Sequence, residues 1–165
     1  MELKTLVLGS RDSIAGTVYG TIVVLASLTA GAKRYESDLW SLVVITVTTV
    51  VVLWFAHVYS DGIGESLALG RRLSVDELLS IARRELSIPL AAAVPVALVA
   101  LGGAGVLKPR TAVWLAFGVG IATLSVQGLR YALLERLSLA GTIFTVAINI
   151  CLALGLVALK AFVAH

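Results

Sequence analysis

The chain has 165 residues, 59% of them hydrophobic and 14% charged, with a mean hydropathy of +0.99 and a formal net charge of +3. A water-soluble domain carries roughly 25% charged and about 45–50% apolar residues, so this composition excludes one and leaves no room for a soluble catalytic domain. The basic residues are scattered among short connections, a pattern set by membrane topology and not by a nucleic-acid partner.

A transmembrane helix needs about 20 apolar residues, and the sequence divides into five such runs. The expected fold is all-α: a polytopic integral membrane protein, a single transmembrane domain over residues 1–165, with five transmembrane helices and a short cytoplasmic amphipathic helix between spans two and three. The opening Met1-Glu2-Leu3-Lys4 lacks a basic n-region and no cleavage motif follows, so the first span is expected to stay in the protein. That span covers about 14–32, with Asp12 at its mouth. Gly16 and Gly20 form a GxxxG pair, which lets two helix backbones approach closely, either within the chain or between two copies. Tyr19, between them, is the deepest polar group of the span and bonds a neighbouring helix or narrows a path.

A charged turn, Lys33 to Asp38, leads to a second span at about 39–59, rich in Val, Ile and Thr. In water such residues would favour strands, but the run has the length of a membrane helix. It closes on Trp54-Phe55-Ala56-His57-Val58-Tyr59-Ser60-Asp61-Gly62-Ile63-Gly64-Glu65. If the helix continues, His57, Asp61 and Glu65 recur every four residues on one face. One imidazole and two carboxylates make a partial metal site if Asp12 or a second chain completes it, or a proton relay, because an imidazole changes charge in the physiological range. The same run also reads as a water boundary, with Asp61 paired to Arg71 or Arg72 and with Trp54 and Tyr59 as interfacial anchors. Gly62 and Gly64 are positioned to break the helix and scatter the stripe.

Ser74-Val75-Asp76-Glu77 has the spacing of a capping box, so an amphipathic helix is expected over about 75–86, with Val75, Leu78, Leu79, Ala82 and Leu86 on its apolar face. It is expected at the membrane surface or beneath the bundle, with docking of a membrane-protein partner as the sharper alternative. The third span, about 87–106, contains Pro89 near its start and Pro95 further in, where the missing amide frees a carbonyl. Pro109 suits a helix start, the fourth span covers about 111–129 with a run-on through Arg136, and the fifth covers 138–163. Asn149, near the middle of the last span, glues helices together or belongs to a polar path. Cys151, the lone cysteine, excludes an intrachain disulfide and reads as a packing residue.

On five spans, Lys4, Arg11, Arg71, Arg72, Arg83, Arg84, Arg130 and Arg136 fall on one side, against Lys33, Arg34, Lys108, Arg110 and Lys160 on the other. The excess puts the N-terminus in the cytoplasm and the C-terminus outside, in a bacterial-type inner or plasma membrane. No nucleophile elbow, zinc-hydrolase motif or phosphate loop is present, so an enzyme is not expected, and no cofactor is specified.

This layout resembles the vacuolar iron transporter family. Its first span opens on a pattern similar to R-D-x-x-x-G-x-x-D-G, matched here by Arg11, Asp12, Gly16 and Gly20, with Tyr19 where that family has a transport carboxylate. The end of its second span resembles Ala56-His57-Val58-Tyr59-Ser60-Asp61. The resemblance implies a homodimeric cation transporter for a divalent metal or protons, with Asp12, Tyr19, His57, Asp61 and Glu65 along the path. The insertion between spans two and three departs from the family's longer, Glu-rich one: Arg71, Arg72, Arg83 and Arg84 offset Asp76, Glu77 and Glu85. A non-transporting assembly subunit of a larger membrane complex is the alternative.

Overall fold

A computed structural model describes residues 11–31 and 38–163, without the side chains of Arg11, Asp12, Leu156, Val157 and residues 159–163. The N-terminal lead, the turn from Lys33 and the side chains of Asp12 and Lys160 therefore lie outside the described residues. Those described form six helices and no strand: α1 (Arg11–Gly31), α2 (Leu39–Leu69), α3 (Val75–Arg84), α4 (Ser87–Gly103), α5 (Pro109–Leu134) and α6 (Leu139–Val163). The all-α expectation holds. In number of spans the structure is more conservative than the sequence: α1, α2 and α5 are each long and apolar enough to cross a bilayer, and α3 with α4 adds a fourth only if the pair is one span bent by 43°.

Helix starts follow local chemistry. Asp38 caps α2, its carboxylate accepting the Ser41 amide at 3.1 Å and the Ser41 hydroxyl, and these bonds hold the carboxyl below its ordinary pKa. Pro109 opens α5, where its missing amide costs nothing. The helix of the second span does not end near Tyr59: α2 continues unbroken through Gly62 and Gly64, both positioned to break it, to Leu69. Gly70 ends it in the left-handed region at φ 63°, with its amide on the Leu67 carbonyl at 3.3 Å. At about 1.5 Å per residue, its 31 residues exceed a hydrocarbon core of about 30 Å, so the Asp61–Leu69 end has length to stand beyond it. Tertiary packing outweighs the glycine propensity there, because buried Gly62 is covered by Leu78.

The core forms where α4 packs against α1, α2 and α5. Leu25, Leu28, Leu42, Ile88, Val99, Phe117 and Leu124 interlock there with almost no exposed surface. The GxxxG pair is used inside the chain: a Cβ on Gly20 would lie 2.4 Å from the Ile88 carbonyl oxygen, and one on Gly16 would lie 2.0 Å from Ser87 Oγ. Both glycines therefore bring α1 onto α4, not onto a second copy. α6 closes the bundle against α5 and α1.

Candidate functional site

The polar end of the bundle is built by α3 folding back along the protruding part of α2. The Ser74 capping box is complete: Ser74 Oγ accepts the Glu77 amide at 3.3 Å, and the Ser74 amide donates to Glu77 Oε2 at 2.7 Å. Arg71 grips the same carboxylate with two guanidinium nitrogens, at 2.6 and 3.1 Å. The Arg71 and Ser74 bonds together pull the Glu77 carboxyl down to a pKa of about 2. At the other end of α3, Trp54 Nε1 donates to the Ala82 carbonyl at 3.2 Å, meeting one of the acceptors that a helix C-terminus leaves open.

These contacts turn α3 differently from the sequence expectation. Ile81, absent from the expected apolar face, is the buried residue, while Val75, Leu79 and Leu86 are exposed. The helix packs against α2. Its bounds, Val75–Arg84, are close to those expected.

The continuous α2 keeps His57, Asp61 and Glu65 in register, but each meets a different environment. The His57 ring lies on Tyr19 of α1, centroids 4.5 Å apart and tilted by 45°. Asp61 pairs with Arg84 Nη2 at 3.4 Å, not with Arg71 or Arg72, and Arg84 also reaches Glu85 at 3.4 Å. Glu65 is exposed. The Asp12 side chain expected to complete the His57, Asp61 and Glu65 set lies outside the described residues, and among those described no group of three or more His, Cys, Asp or Glu is placed to hold a metal ion. The reason is geometric. Positions 57 and 65 are separated by about 12 Å of helix, whereas a metal needs its donors within about 2.0–2.6 Å of one point. A second element would have to supply the convergence, and α3 supplies an arginine.

Two concavities flank the first turns of α1. One, of about 630 Å³, runs between α1, α4 and α5 beneath the end of α3, with Arg83 and Arg84 at its mouth. The other, of about 320 Å³, lies between α1, α5 and α6. Asn149 lines the latter, its amide donating to the Thr145 carbonyl at 3.0 Å, and it packs where Gly128 leaves space. Gln127 lines it too, 6% exposed, with its carbonyl accepting Arg130 Nη1 at 3.2 Å. The structure thus brings Tyr19 to His57 and Asn149 near Gln127, and leaves Asp61 and Glu65 outside both groups.

Sequence reasoning singled out neither Gln127 nor Arg83. An amide inside an apolar run was the available signal for Gln127; for Arg83 there was only its position directly before an apolar helix. Cys151, read as a packing residue, is exposed and so packs little within the chain. The sequence matches no protein-family model, no curated protein and no solved structure.

Proposed function

We propose that this chain is a five-span integral membrane protein, with its N-terminus and α3 in the cytoplasm, that conducts protons and not divalent metal. Support for the fourth and fifth spans comes from the apolar α4 and from the length of α6, whose 25 residues reach about 37 Å. Support for the orientation comes from the excess of Lys and Arg on the α3 side. The observation that carries the proton reading is the Tyr19–His57 contact between α1 and α2. It joins an imidazole, the side chain suited to proton transfer, to the residue standing where the resembled family has its transport carboxylate. His57 on Tyr19 and Asp61 on Arg84 meet different partners, which turns the reading away from a shared metal ion. A homodimer, in this reading, uses a face other than the α4-filled glycines of α1.

The test is proton flux into proteoliposomes under an imposed potassium-diffusion potential, followed with an internal pH dye. Flux is expected from the wild type, loss in His57→Ala, slowing in Tyr19→Phe and no change in Glu65→Gln. Empty-liposome behaviour from the wild type, or full flux from His57→Ala, overturns the proposal.

One observation favours a second reading as an assembly subunit. On α3, packed against the end of α2, Val75 is 75% exposed and Leu79 is exposed beside it. A stoichiometric partner retained in mild detergent and lost in Leu79→Ser supports that reading; a pure homo-oligomer counts against it.

A further inference from the structure

The groove between α1, α4 and α5 is charged at one end and apolar along its α4 floor, with Thr17 and Thr123 on its walls. Arg83 and Arg84 stand at the mouth, and Leu90, Val94 and Pro95 line the floor inside the apolar α4. Arg84 is already engaged by Asp61 and Glu85, whereas Arg83 is exposed and forms no ion pair among the described residues. Beside the mouth, the Ser87 hydroxyl is buried against Gly16 of α1 and closed off from the groove. From Ser87 to Pro95 the floor runs about 12 Å, close to half of a hydrocarbon core of about 30 Å. At its inner end the Ala91 carbonyl receives no amide from Pro95, and both residues line the groove.

We propose that this groove is a binding site for one anionic phospholipid of the leaflet on the α3 side, with its phosphate on Arg83 and one acyl chain lying along Leu90, Val94 and Pro95. Three features select this occupant. The free charge at the mouth is cationic, so an anionic headgroup is drawn there in preference to a zwitterionic one. The apolar length matches the depth of a single leaflet and not a whole span. A volume of about 630 Å³ is far more than a bare phosphate fills, and its walls are mostly apolar.

The experiment uses the full chain purified in a neutral detergent and native mass spectrometry of adducts with short-chain phosphatidylglycerol, phosphatidylcholine or inorganic phosphate. The wild type is expected to retain phosphatidylglycerol about tenfold better than phosphatidylcholine, the scale of one charge-assisted contact. Arg83→Gln should reduce this preference to near unity. Val94→Trp, at a position 56% exposed in the structure, should reduce retention of both lipids by filling the acyl track, while Arg110→Gln at the far end leaves retention unchanged. Equal retention of the two lipids by the wild type, an unaltered preference in Arg83→Gln, or displacement of phosphatidylglycerol by millimolar inorganic phosphate would overturn the proposal. Proton flux is a separate measurement, so failure of either proposal leaves the other standing.

Discussion

Gly20→Ala is expected to destabilise the bundle far more than Gly16→Ala, although both add one methyl group to the same face of α1. At position 20 the new carbon meets backbone, lying 2.4 Å from the Ile88 carbonyl oxygen and 3.0 Å from Ile88 Cα, so restoring an ordinary contact of 3.4 Å needs about 1 Å of separation between α1 and α4. Overpacking of this kind costs about 1–3 kcal/mol, offset by up to about 1 kcal/mol from the better helix propensity of Ala. With the full offset the net loss reaches about 2 kcal/mol, or about 4–8 °C in Tm for a chain of this size. At position 16 the obstacle is the Ser87 hydroxyl at 2.0 Å, the end of a short side chain that can rotate away. Gly16→Ala should therefore cost little, and nothing in a Ser87→Ala background. Thermal unfolding in detergent, followed by tryptophan fluorescence, measures both. Equal losses at the two positions, or an unchanged Gly20→Ala, would refute the packing argument. A change in oligomer mass at constant Tm would place these glycines between copies instead.

Trp54→Phe should keep the aromatic packing and delete the bond to the Ala82 carbonyl, a loss of about 1 kcal/mol. It should raise amide exchange in α3 about fivefold while leaving α5 unaffected. Acidification should loosen the α3 start. Glu77 has its folded pKa lowered from 4.5 to about 2, so its stabilisation is complete above pH 4.5 and is lost as pH falls toward 2. Protection at residues 74–78, corrected for the intrinsic pH dependence of amide exchange, should fall across that window in the wild type and be already low and flat in Glu77→Gln.

Much of the fold could be read from local chemistry in the sequence. The Ser74–Glu77 spacing marks the start of α3, Pro109 marks that of α5, and the glycine pair marks a close helix crossing. What escaped was set by contacts between distant segments. The run past Tyr59 to Leu69 depends on Leu78 covering Gly62, and the rotation of α3 depends on Trp54 and on Asp61 facing Arg84. Helical periodicity places side chains on a face but does not say which neighbour meets it. The His57 stripe was legible as a stripe, and its failure to converge was not, because its partners come from α1 and α3.

The end of the bundle remote from α3 is assembled differently. A Cβ on Gly102 would lie 2.6 Å from that of Ala112 and 2.8 Å from a Leu39 methyl group, and Gly103 lies against the Trp40 indole. Helices seated on one another through missing side chains have no atoms between them that could give way. A single added methyl at Gly102 should pry α2, α4 and α5 apart at this end of the bundle.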